Sequence, residues 1–329
     1  MRAIVAETLE SLASYAEREV PEPEAGPGQV LIRVAACGVG YVDSLVALGR
    51  YQVKPPLPHV PGQEVAGVVA ALGEGVTGLA VGQRVTAMAG RGFAELAVAP
   101  APMVWPIPDR LPFAEAAALP LNYLTALHGL KDRARLTAGE TLLVLGAAGG
   151  VGSAAVQLGK ALGAKVVAAA SAADKRDFAL AQGADAVIDT AQDGWRDRLK
   201  AACGGKGPDV VFDPVCGPLF ELAFRSLHWR GRHLVVGFVG GPIPALPANL
   251  TLMKGAALIG VDVRQHILFD GREVPGQMAE LLAMAADGRI RPAVGTVHDF
   301  ADFGAALNAA ISGQGCGKAV LLVGGEGLA

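Results

Sequence analysis

Cysteine is scarce. The 329 residues hold four, Cys37, Cys203, Cys216 and Cys316, and no CxxC pair. Scattered thiols exclude a disulfide framework and suit the reducing conditions of the cytoplasm. Charge is also sparse, at 18% of residues with a net balance of −3. No basic excess argues for nucleic acid. No apolar run approaches roughly 20 residues without a charge, glycine turn or proline, so no membrane span is expected. The opening stretch MRAIVAETLE lacks a long apolar core after a basic start, so no signal peptide is expected. Asn249-Leu250-Thr251 fits the glycosylation pattern, but nothing else points to secretion. What the chain does have is 52% hydrophobic residues, 44 glycines and 21 prolines. That suits a dense α/β protein with many tight turns, and the length favours two domains.

Residues 141–171, TLLVLGAAGGVGSAAVQLGKALGAKVVAAAS, organise the rest. The apolar run 142–145 predicts a buried strand. Gly146, Gly149, Gly150, Val151 and Gly152 then form a turn, and apolar residues recur at helical spacing from Ala155 to Leu162. Gly163 ends that helix, and 165–170 predicts a second strand. Strand, glycine turn, helix and strand make one βαβ unit. Gly149 and Gly152 let backbone approach a pyrophosphate and let the helix pack closely. The helix N-terminus offers unpaired N–H groups to phosphate.

Residues 1–118 read as β-rich, with strands at 3–6, 29–36, 63–72, 82–88 and 92–98 between Gly/Pro turns. The polar and aromatic stretch 37–61 lies among them as a candidate pocket wall. Residues 113–130 predict a helix that Pro120 breaks or kinks. From 141 onward, strands at 142–145, 165–170, 186–188, 209–213, 232–237 and 257–261 alternate with helices. This alternation predicts a doubly wound parallel sheet. A helix at 277–286 follows. Strands at 293–298 and 318–323, around a helix at 301–311, exceed what that sheet needs and are assigned back to the first domain. The expected division is 1–120 with 265–329, and 121–264.

The second strand of the βαβ unit ends without the acid that binds ribose hydroxyls in NAD-selective sites. Ser171, Lys175 and Arg176 stand there instead. A hydroxyl and two cations suit a 2′-phosphate, so NADPH is the expected cofactor.

The stretches AACGVGYVDSLVALGRYQVKPPLPHVPGQEVAGVV, VGQRVTAM, GFAELAVAP, AALPLNYLTALHGL, GETLLVLGAAGGVGSAAVQLGKALGAKVVAAAS, GADAVID, DVVFDPVCG and GKAVLLV run almost end to end. Together they resemble the medium-chain dehydrogenase/reductase superfamily, in its zinc-free NADPH:quinone oxidoreductase branch, which includes zeta-crystallin. The resemblance implies a GroES-like β-rich domain built from both chain ends around a Rossmann domain, with the active site in the cleft between. It also implies cofactor contacts from Thr125, Gly149, Gly150, Val151, Gly152, Ser171, Lys175, Gly237, Phe238 and Lys318, to which Arg176 is added from the charge argument. Tyr41, Asp43 and Tyr51 are the candidate substrate-pocket residues. Tyr51 reads as a polar contact or as an aromatic cap on its loop, and Asp43 as a residue that holds the loop.

Three positions depart from the branch. Gly40 stands where an asparagine is common, Thr190 where many relatives carry tyrosine, and 313–317 (GQGCG) where arginine is usual. Zinc relatives place cysteine at Gly40 and histidine at Gln63. Glu64 alone makes no zinc site, the four-cysteine lobe is missing, and the six histidines show no ligand spacing. No metal is expected. Without a Lewis acid, direct hydride acceptors are favoured: quinones, or double bonds conjugated to a carbonyl. A 2-enoyl-thioester reductase and a non-catalytic, crystallin-like NADPH-binding protein are the alternatives. The apolar run 256–263 is expected as a sheet edge joining a homodimer.

Overall fold

In the computed structural model, residues 1–324 are described. The chain divides into two compact units, Met1–Leu121 with Arg272 onward, and Asn122–Gly271. The second unit extends past residue 264 because Asp262 caps a helix over Val263–Phe269, its carboxylate accepting the N–H groups of Arg264 and Gln265.

The first unit is built on Gln29–Val39, an 11-residue strand. Val30, Ile32 and Val34 are buried on one face while Arg33 is exposed. β-Branched residues at this period favour a pleated, half-buried strand. The strand pairs antiparallel with Glu64–Leu72, with Leu96–Pro100 and with Lys318–Leu322. Leu321 lies opposite Cys37, so the C-terminal strand enters the N-terminal sheet, as the assignment of both chain ends to one domain requires. Phe93, Ile4 and Leu321 fill the core beside it.

Buried Tyr15 and half-buried His59 pair at one side of this core. The Tyr15 hydroxyl lies 2.7 Å from His59 Nδ1 and 3.2 Å from the Ala47 carbonyl. Burial, with Arg91 nearby, lowers the His59 pKa to about 4. A histidine depressed in the folded state adds stability that is present above its unfolded value, near 6.5, and lost as pH falls toward the folded one. Urea midpoints should therefore decline between about pH 6.5 and 4, with a slope set by one proton. The His59→Gln variant should lack that component.

The second unit holds a six-stranded parallel sheet. Its order is Ala186–Ile188, Lys165–Ala169, Thr141–Leu145, Val210–Asp213, Arg232–Val235, Ala257–Gly260. This 3-2-1-4-5-6 order is that of a dinucleotide-binding sheet, with the order reversing beside the first strand. Leu142, Leu143 and Val144 are fully buried, as central parallel strands require. Trp195, Leu199 and Phe224 pack against Leu143, Val167 and Val211 to form the core on one face.

The expected helix over 113–130 is three pieces: Phe113–Ala117, Pro120–Leu127 and a π-helical turn, His128–Arg133. Pro120 opens the second piece, where its missing N–H costs nothing. Short elements at Ala16–Glu19, Val104–Pro106, Asn249–Lys254 and Val263–Phe269 carry no clear periodicity and were not expected.

Candidate functional site

The strand Thr141–Leu145 ends at Gly146, whose φ of 58° is left-handed. Ala147 and Ala148 lead to Gly149, the N-cap of the helix Gly150–Ala161, where no side chain caps the backbone. The first N–H groups of a helix have no intrahelical acceptor, so Gly150, Val151 and Gly152 present donors at its positive end. The two glycines assigned a joint role divide it. A Cβ on Gly152 would lie 2.1 Å from the Gly146 carbonyl oxygen, so Gly152 lets the helix sit on its own turn. A Cβ on Gly149 would lie 3.5 Å from the same oxygen, an ordinary contact, so Gly149 is bare for another reason. Asn122 was not foreseen here. A Cβ on Gly150 would lie 2.5 Å from its Nδ2.

At the far end of the next strand, Ser171 is exposed and Lys175 half-buried. Arg176 Nη1 donates to the carbonyls of Ala170 (3.2 Å) and Ser171 (2.9 Å), which fixes the guanidinium at the strand end. Thr125 is half-buried on the helix Pro120–Leu127. Gly237 follows the strand Arg232–Val235, its Cβ position 3.0 Å from the Pro214 carbonyl oxygen, and Phe238 beside it is exposed. A buried support was also missed. Asp213 accepts the N–H groups of Val215 and Cys216 and lies 3.1 Å from His233 Nε2, with both side chains fully buried. This holds Cys216 at φ 44°.

In the first unit, Gly40 caps the helix Tyr41–Ala47. Asp43 Oδ2 accepts the Gly40 N–H at 2.8 Å, and Oδ1 accepts Gln63 Nε2 at 3.3 Å. Asp43 is 3% exposed. Burial raises its pKa, against the pull of Lys318 and the Gly40 N–H. With both oxygens engaged and little access to solvent, Asp43 is placed to hold its loop. Tyr41 and Tyr51 are both half-buried, and neither phenol makes a hydrogen bond among the described residues.

Lys318, expected as a cofactor contact, is 5% exposed, and its ammonium is ion-paired with Glu64 inside the first unit. Burial works against its charge, but Glu64 and then Asp43 more than compensate, and its pKa is raised. Glu64 is fully buried and also accepts the Leu121 N–H at 2.9 Å. Cys37 is buried beside them. Burial first, then the two carboxylates, push its thiol pKa well up.

These residues do not form a zinc ligand set. Gly40 has no donor, and a Cβ there would lie 3.0 Å from Lys318 Nζ. Gln63 is engaged with Asp43, and Glu64 with a cation. Cys37 would leave at most one uncommitted ligand, where a catalytic zinc takes three from the protein.

Fold and site together define a dinucleotide-dependent oxidoreductase with a GroES-like partner unit. Residues 26–109 match the alcohol dehydrogenase GroES-like domain, and residues 150–285 the zinc-binding dehydrogenase family. The chain is 34% identical over 306 residues to the rat quinone oxidoreductase-like protein 2, covering 92% of this chain and 87% of that one. It is 34% identical over 308 residues to the rat quinone oxidoreductase, covering 92% and 91%. Among solved structures, the quinone oxidoreductase of Thermus thermophilus, also solved in complex with NADPH, superimposes with a TM-score of 0.84 at 34% identity, covering 98% and 100%. The chain belongs to the quinone oxidoreductase family of the medium-chain dehydrogenase/reductase superfamily.

Proposed function

We propose that the protein is an NADPH-dependent reductase of quinones or related conjugated carbonyls that works without zinc. The observation that carries this reading is the buried Lys318–Glu64 pair, a fixed ammonium set among the positions where zinc relatives bind their metal. NADPH supplies the hydride when bound. The N–H groups of Gly150, Val151 and Gly152 hold the pyrophosphate, where the helix dipole favours negative charge. Gly149 leaves room for its approach. Ser171, Lys175 and Arg176 bind the 2′-phosphate, and Thr125, Gly237 and Phe238 flank the nicotinamide half. Tyr41 and Tyr51 offer phenols to the acceptor oxygen. Asp43 keeps their loop in place through the Gly40 N–H.

Partners and place follow from the surface. The strand Ala257–Gly260 is a sheet edge with Leu258 exposed, and Leu252 and Met253 are exposed close by in sequence. An uncovered apolar edge invites a second copy, so the protein is a homodimer joined there. No helix among the described residues is long and apolar enough to cross a membrane. The scattered free thiols, three of them buried, suit the cytoplasm.

The cofactor assignment is tested at Arg176. Its charge-assisted contact to a phosphate is worth about 1.5–3 kcal/mol. The Arg176→Ala variant should therefore bind NADPH roughly ten- to a hundredfold more weakly by fluorescence titration. NADH binding should hardly change. Equal losses for both cofactors would remove Arg176 from the 2′-phosphate site.

A further inference from the structure

Two histidines far apart in sequence meet face to face in the second unit. His128 sits on the π-helical turn His128–Arg133, and His266 on the helix Val263–Phe269. Their rings stack with centroids 3.9 Å apart and planes 14° apart. Both are buried, at 8% and 3% exposure. Asp132, four residues beyond His128 and exposed, brings Oδ2 to 3.1 Å from His128 Nδ1. One donor atom from each of the three lies within 4.8 Å of the others.

We propose that His128, Asp132 and His266 form a binding site for a borderline divalent cation of the zinc class, made of residues the cofactor site does not use. The donor set fits such an ion. Two imidazoles and one carboxylate match zinc, cobalt and nickel better than the all-oxygen cations calcium and magnesium. The spacing is close. Ligands about 2.0–2.2 Å from one tetrahedral ion stand roughly 3.3–3.6 Å apart, a few tenths of an ångström beyond the 3.1 Å His128–Asp132 contact. A metal replaces the shared proton between those two atoms, and a tilt of the His266 ring out of the stack brings the third donor.

The surroundings supply outer-shell support. Asp270 Oδ2 lies 3.4 Å from His266 Nδ1, the place of an outer-shell carboxylate that orients a ligating ring. Lys131 and Arg133 are the cations on the same turn, and the Arg133 guanidinium donates to the Gly260 carbonyl. The sequence hides all this because the two ligating elements belong to different parts of the chain. Of the three, two stand at helical chelating distance: His128 and Asp132, four residues apart.

The test uses the full-length protein after EDTA treatment and dialysis. Titration with zinc by calorimetry should show one saturable equivalent, and cobalt(II) should give a visible d–d spectrum. Zinc should also raise the Tm, as any ligand of the folded state does. Asp132→Asn, an exposed change that spares the fold, should weaken zinc about tenfold or more. His266→Asn should abolish the site, with NADPH oxidation rates unchanged. No saturable equivalent overturns the proposal. So does binding that keeps its affinity in both variants, since the ion then sits elsewhere.

Discussion

Lys318→Met should destabilise the protein by about 3–5 kcal/mol, the usual consequence of removing one partner of a buried ion pair. Methionine matches the apolar length of the lysine, so the loss is electrostatic and not a cavity effect. Glu64 is left fully buried, and Asp43 at 3% exposure stands close to it with its pKa already raised by burial. Urea denaturation at neutral pH measures the loss. Adding Glu64→Gln should recover much of it, because a neutral pair needs no counter-charge. The pH dependence has a definite sign. Lys318 has a raised pKa in the folded state. Its contribution is therefore complete below about 10.5 and is lost as pH rises through the folded value. The wild type should weaken in strong alkali by a component that the double variant lacks. If Lys318→Met is as stable as the wild type at pH 7, the ammonium does not hold this site together.

The second large effect is expected at the glycine turn. Gly152→Ala puts a Cβ 2.1 Å from the Gly146 carbonyl oxygen and 2.9 Å from the Ala147 Cα. Both are backbone atoms, so no rotamer change relieves the clash. The turn must move, at about 1–3 kcal/mol for overpacking. NADPH should bind roughly ten- to a hundredfold more weakly as its N–H donors shift. Gly149→Ala separates geometry from approach. Its φ of −74° suits any residue, and its Cβ meets nothing closer than 3.5 Å. That variant should keep wild-type stability and still lose NADPH affinity, because the added methyl occupies the space left for pyrophosphate. Wild-type affinity in Gly152→Ala would remove the turn from the cofactor site.

The sequence reading was strongest where one segment contains its own constraints. The glycine turn, its helix and both flanking strands are contiguous, so spacing alone placed them. The parallel sheet followed from alternation, and the return of the C-terminal strand from its surplus over that sheet. The reading was weakest where distant segments meet. Lys318 looks like a cofactor lysine in GKAVLL, because nothing local shows that its strand runs antiparallel beside Cys37. One signal was available: Asp43 and Glu64 both lie in apolar stretches, and a buried carboxylate needs a partner. Lys318, also set in an apolar run, was the candidate. The histidines repeat the lesson. No spacing rule links His128 to His266, and only the fold stacks them. Asn122 and Asp213 were missed for a related reason. Each supports a turn through hydrogen bonds or close contacts that leave no periodic trace.

The most direct test of metal-free NADPH chemistry is the rate of NADPH oxidation by 1,4-benzoquinone or 9,10-phenanthrenequinone, before and after EDTA treatment. It should be run in parallel on the wild type and on Asp132→Asn, so that an ion at the histidine pair is accounted for separately. Metal-free hydride transfer should give saturable oxidation, a clear preference for NADPH over NADH, and equal rates with and without EDTA in both proteins. Activity lost in EDTA and restored by zinc, in Asp132→Asn as in the wild type, would contradict it, because the metal would then be acting where Lys318 and Glu64 are paired.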